Sequence, residues 1–129
     1  MPQVLIIDDD ELITGALFRY LIGNGVSADL AFNPMDAEKF LMANDYSLVL
    51  MDAYLTGQLN NRPYELIDQV RSWRPSAHVV LLTAYSSPAL SDHIKRDQRV
   101  MIVDKPQSIP YLAELIDGFL RREIVAVSP

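Results

Sequence analysis

Four short apolar runs punctuate the chain: VLII at 4–7, LVLM at 48–51, VVLL at 79–82 and VMIV at 100–103. Each is unbroken rather than alternating and rich in β-branched or leucine side chains. Such runs predict strands buried on both faces, as in a parallel sheet. A weaker stretch at 26–32 predicts an outer strand. Between the runs the apolar period changes to that of a helix. Leu12, Ile13, Ala16, Leu17, Tyr20 and Leu21 form one stripe, with Gly23 and Gly25 as its stop signal. Leu66, Ile67, Val70 and Trp73 form a second stripe. Leu112, Leu115, Ile116, Phe119 and Leu120 form another. Prolines at 34, 63, 88 and 110 stand where four helices would start, a position at which a missing N–H costs nothing. Asn33 and Ser87 precede two of them as N-caps. The segment at 89–95 is polar and only weakly periodic, and is assigned as a helix on its place in the order.

The elements alternate as (βα)5, which predicts right-handed crossovers and helices on both faces of one sheet. The expected fold is α/β: a doubly wound three-layer sandwich around a five-stranded parallel sheet. At 129 residues, half of them hydrophobic, the chain fits one domain with a substantial core. That domain is expected to occupy 1–124, with 125–129 as a tail or the start of a linker. No stretch approaches the ~18 apolar residues of a membrane span, and no secretory signal is expected at the start. The absence of cysteine excludes disulfides and thiolate metal sites, and fits a cytoplasmic location. A net charge of -6 argues against direct nucleic-acid binding, which needs clustered Lys and Arg.

In open parallel sheets, ligands bind beyond the carboxyl ends of the strands. The residues just past four of the runs are Asp8 and Asp9, Asp52, Thr83, and Asp104 with Lys105. Each has an ordinary structural use. Asp8–Asp10 could cap a helix, Asp52 could serve a turn, Thr83 suits any strand, and Lys105 could be a solvated charge. Together they place carboxylates, a hydroxyl and an ammonium along one edge. Neighbouring carboxylates repel, and a bound cation reverses that. Oxygen donors without Cys or a His pair favour Mg²⁺, with Thr83 and Lys105 left to bind phosphoryl oxygens. His78 and His93 read as surface or edge residues.

In this arrangement the sequence resembles the receiver domain of two-component response regulators. The likeness rests on VLIIDDD ending at Asp10, LVLMD ending at Asp52, VVLLTA from Val79, and the Asp104-Lys105-Pro106 turn. The resemblance implies the flavodoxin-like strand order 2-1-3-4-5. A member of this family is a standard example of that order, so the order is inherited through the likeness and does not come from the residues themselves. The resemblance implies that Asp52 accepts a phosphoryl group from a sensor histidine kinase. It further implies Mg²⁺ held by Asp8, Asp9, Asp52 and the main-chain carbonyl of Tyr54. Thr83 and Lys105 would bind the phosphoryl oxygens, with a cis Lys105–Pro106 peptide. An output domain or partner protein would be switched, with a homodimer through the fourth helix, fifth strand and fifth helix as one form. Such a domain signals and is not a turnover enzyme.

Several positions depart from the family's pattern. Thr56 replaces a common Pro, the loop from Tyr54 to Pro63 is about three residues longer than usual, and Gln107 replaces a common Phe. Ile102 stands where the switch aromatic often sits. Tyr54 and Tyr85 both flank the expected path of the hydrolytic water. Two other readings remain open. A haloacid-dehalogenase-like phosphatase also uses an Asp nucleophile after a strand, but its second acid would fall at Tyr54. A degenerate receiver would only bind a partner.

Overall fold

The computed structural model describes residues 3–8, 11–52, 65–83, 92, 99–104 and 108–127. Five parallel strands form one sheet: β1 (Val4–Ile7), β2 (Ala28–Ala31), β3 (Leu48–Asp52), β4 (His78–Thr83) and β5 (Val100–Asp104). Their spatial order is β2-β1-β3-β4-β5, as the resemblance implied. The connecting helices are α1 (Glu11–Gly23), α2 (Pro34–Ala43), α3 (Glu65–Trp73) and a C-terminal helix (Ile109–Val127). Of the helix expected at 89–95, only Asp92 lies among the described residues, and it is helical. Pro63, Ser87, Pro88 and His93 lie outside them.

Strand alternation divides the core in two. Leu5, Ile7, Val49, Met51, Val79 and Leu81 pack on one face with Ala37 and Leu41 of α2 and Ile67 and Val70 of α3. Val4, Ile6, Leu48, Leu50, Val80 and Leu82 pack on the other with Leu17 and Leu21 of α1 and Leu112, Ile116 and Phe119 of the C-terminal helix. Both sets of alternate positions are apolar because helices cover both faces. The inner strands therefore read as unbroken runs.

The outermost strand corrects one expectation. Residues 100–103 do not form a strand buried on both faces: Met101 is 40% exposed, and Val100 and Ile102 are only half-buried. β5 ends the strand order, so among the described residues no neighbouring strand covers its outer flank. Tyr20 also differs from its place in the α1 stripe, at 46% exposed. Leu17 and Leu21, four residues apart, carry the buried face, and Tyr20 is displaced to its rim.

Local signals account for the helix ends. Asn33 caps α2, its Oδ1 accepting from the Asp36 N–H at 2.8 Å, and Pro34 follows at the first helical position. Ser108, not anticipated from the sequence, accepts from the Tyr111 N–H through its Oγ at 3.2 Å ahead of the C-terminal helix. α1 ends in a Schellman turn. Gly25, at φ 82°, donates to the Ile22 carbonyl, and Val26 donates to that of Leu21. Gly23 is still helical, so Gly25 is the residue that the turn requires.

At the amino-terminal edge of the sheet, a polar cluster ties β2 to the α2–β3 and α3–β4 connections. The Tyr46 hydroxyl donates to Asp29 Oδ2 at 2.7 Å and accepts from Asn44 Nδ2 at 3.3 Å. Arg74 Nε donates to the Asn44 carbonyl at 2.8 Å and lies 3.2 Å from Asp45 Oδ1. Burial, then the adjacent Asp29 carboxylate, pushes Tyr46 above the ordinary tyrosine range.

Candidate functional site

The site is built by strand register at the opposite, carboxyl-terminal edge. Ile7 of β1 pairs with Met51 of β3, so the next residues, Asp8 and Asp52, stand level on adjacent strands. The Asp8 N–H donates to the Ala31 carbonyl at 3.0 Å, extending the β1–β2 ladder by one step. Alternation continues Val4 and Ile6 to Asp8, and Leu48 and Leu50 to Asp52. Both carboxylates therefore fall on the face covered by α1 and the C-terminal helix. Asp8 is 2% exposed and Asp52 is half-buried.

Thr83 ends β4 one step beyond the Asp52–Leu82 pair, and is itself level with Asp104 of β5. It continues the Val79–Leu81 face and is fully buried. Ile102 pairs with Leu81 and packs against that same face, two residues before Asp104. Burying a carboxylate or hydroxyl is costly unless it is partnered. Among the described residues, no buried side-chain nitrogen or oxygen lacks a hydrogen-bond partner. Asp8, Thr83 and Thr14 of α1, the last not anticipated from sequence, are thus polar groups held within the fold rather than stranded in it.

Asp9, Tyr54 and Lys105 lie outside the described residues, as do Thr56, Tyr85, Pro106 and Gln107. The described part of the site is therefore Asp8, Asp52 and Thr83. Two level carboxylates on one face form a hard-oxygen pair suited to Mg²⁺, which takes few protein ligands and keeps several waters. An ion held in this way retains positions that a substrate oxygen can take. Among the described residues, no group of three His, Cys, Asp or Glu side chains gathers to enclose a metal. His78 is half-buried, its ring 5.1 Å from that of Phe119, away from this edge at the start of β4.

Comparison with known proteins bears on the same residues. Residues 4–117 match the family model described as the response regulator receiver domain. Protein PetR of Rhodobacter capsulatus is 33% identical over 57 residues, which cover 44% of this chain and 24% of PetR. The match thus takes in about a quarter of that relative's length. A two-component response regulator from Clostridium difficile superposes with a TM-score of 0.79 at 23% identity, covering 95% of this chain and 98% of that one. A response regulator from Burkholderia pseudomallei, bearing a phosphorylated aspartic acid, calcium ion and citrate, gives 0.74 at 23% identity over 99% of this chain and 76% of that one. A CheY-like receiver domain protein from Methanospirillum hungatei JF-1 gives 0.77 at 21% identity, covering 95% and 98%. Similarity at this level of identity establishes the shared fold.

Proposed function

The chain belongs to the response regulator receiver family, and from that premise we propose that Asp52 takes a phosphoryl group from a sensor histidine kinase. The observation that carries this reading is the β1–β3 register, which sets Asp8 level with Asp52 on one face of the sheet. A carboxylate oxygen of Asp52 attacks phosphorus. The bond from phosphorus to the kinase's histidine nitrogen breaks, and that nitrogen keeps the electron pair. Phosphoryl transfer of this kind depends mainly on positioning and on neutralising the phosphoryl oxygens.

Asp8, Asp9, Asp52 and the Tyr54 carbonyl would hold Mg²⁺, which supplies positive charge to offset those oxygens. The calcium ion in the Burkholderia neighbour is consistent with a divalent cation in this fold. The Thr83 hydroxyl would donate to one phosphoryl oxygen and the Lys105 ammonium to another. The receiver unit would span 1–124, with 125–129 as a tail or the start of a linker. No helix among the described residues is long and apolar enough to cross a membrane. Receipt of a phosphoryl group from a histidine kinase would put the domain in the cytoplasm. The net negative charge disfavours nucleic acid, and the partners would be proteins: an output domain, a partner protein or a second copy. The role is stoichiometric signalling, with slow loss of the phosphoryl group as the resemblance implies from Tyr54 and Tyr85, at positions that in the family flank the path of the hydrolytic water.

Incubation with Mg²⁺ and a small phosphodonor, followed by intact-protein and peptide mass spectrometry, tests the assignment. One phosphoryl group on Asp52, absent in Asp52→Asn, is the expected result. Continuous release of phosphate with no accumulated adduct would instead support a phosphatase. No adduct under any donor would support a receiver that only binds.

A further inference from the structure

Among the described residues, the two most exposed large apolar side chains are both methionines of α2: Met35 at 70% and Met42 at 57%. They stand seven positions apart, close to two full helical turns, so they share one face about 10 Å from each other along the axis. Glu38 and Lys39, between them, are exposed as well. Ala37 and Leu41, on another face of the same helix, are buried in the core. α2 thus holds its place through one face and presents thioethers to water on the other.

Two further methionines set this pair in contrast. Met51, in β3, is 1% exposed, and Met101, on β5, is 40% exposed. The chain contains no cysteine, so no thiol competes for a soft oxidant. Thioether sulfur is then the side-chain atom most open to peroxide, and access to it follows exposure.

We propose that Met35 and Met42 form a reversible oxidation site for hydroperoxides, which turns the outer surface of α2 from apolar to polar. A lone pair of the thioether sulfur attacks one peroxide oxygen and forms the S–O bond. The O–O bond breaks, and the other oxygen leaves with the bonding pair. The proton of the transferred oxygen passes to the leaving hydroxide, giving water. Sulfur is oxidised by two electrons and the peroxide is reduced. In the return step a thiol-dependent sulfoxide reductase removes the oxygen as water while two thiols become a disulfide. Oxidation of Met51 would instead place a polar oxygen in a packed core, which is costly and requires the sheet to open. The α2 pair carries no such cost, because a sulfoxide there stays in water. The proposal does not depend on Asp52 or its phosphorylation.

The test treats the full chain with graded hydrogen peroxide at neutral pH beside N-acetyl-methionine amide, and follows one-oxygen adducts by peptide mass spectrometry. Met35 and Met42 should oxidise within about threefold of the free probe, and Met101 more slowly. Met51 should be at least about tenfold slower than the pair, since it reacts only through opening. The doubly oxidised protein should elute earlier in hydrophobic-interaction chromatography and keep its urea midpoint. Dithiothreitol with the two epimer-specific sulfoxide reductases should return it to the reduced mass. Met35→Leu and Met42→Leu should each remove one fast adduct and leave the midpoint unchanged. Oxidation of Met51 or Met101 as fast as the pair, a lowered midpoint after oxidation of the pair, or sulfoxides that the reductases cannot remove from the folded chain would overturn the proposal.

Discussion

Removing the charge of Asp52 should stabilise the protein without metal and reduce its response to Mg²⁺. Asp8 and Asp52 stand level on neighbouring strands, which lie about 4.8 Å apart in any sheet. Two unit charges about 5 Å apart repel by roughly 3 kcal/mol at an effective dielectric of about 20, and by less than about 1 kcal/mol in water. Asp8 is buried and Asp52 half-buried, so the pair falls between those limits. Asp52→Asn should therefore raise unfolding free energy in EDTA by about 1–3 kcal/mol, relieving a repulsion that a bound cation would otherwise offset. Saturating Mg²⁺ should reverse the comparison. At about 100 times its dissociation constant, the ion adds about 2.7 kcal/mol to the wild type, and the variant, lacking one ligand, should gain much less. Urea denaturation of both proteins in EDTA and in a Mg²⁺ series measures this directly. A variant no more stable than wild type in EDTA, with an equal Mg²⁺ gain in both, would refute a shared carboxylate site.

Other perturbations address the scaffold and the switch. Tyr46→Phe leaves Asp29 and Asn44 without their shared hydroxyl and should cost about 1.5–3 kcal/mol in urea melts, because one bond is to a charged group. Since the folded Tyr46 hydroxyl holds its proton more tightly than an unfolded tyrosine, its contribution is fully present below about pH 10 and lost as pH rises further. In an alkaline absorbance titration Tyr46 should ionise only above the ordinary tyrosine range, and its ionisation within that range would contradict its burial. Gly25→Ala meets no atom within 4 Å, so its cost of about 1–2 kcal/mol should come from the left-handed backbone alone and appear in thermal melts. Ile102 has no ring to swing when Thr83 engages a phosphoryl group, so the output surface should shift through backbone and helix movement. Ile102→Val should then leave partner binding intact, and abolition of binding at unchanged stability would reject this. Phospho-Asp52 should decay faster in Tyr54→Asn or Tyr85→Ala than in wild type, as followed by adduct mass over time. Equal decay would end the shielding idea.

Much of the sheet is legible in the sequence because it is buried on both faces. VLII, LVLM and VVLL are unbroken because neither face of β1, β3 or β4 meets water, and this leaves a signal that needs no partner to read. The same rule fails at 100–103, where an apolar run becomes an edge strand with Met101 exposed. Nothing local marks a strand as last in the order. α2 is announced by Asn33 and Pro34, residues that act within one turn of themselves. Ser108 escapes notice because Pro110 is the stronger start signal, and the cap lies two residues earlier.

The candidate site divides in the same way. Chain order alone places Asp8, Asp52 and Thr83 at strand ends, since each directly follows an apolar run. It cannot say that Asp8 and Asp52 are level, because that depends on the register between β1 and β3, segments more than forty residues apart. Nor can it find the Tyr46–Asp29 bond or rank Met35, Met42 and Met101 by exposure. A sequence records which residues prefer to be buried and where the backbone turns, because burial and turns act on neighbours along the chain. Which carboxylates share a face, and which methionines stay in water, is decided only when remote segments pack together.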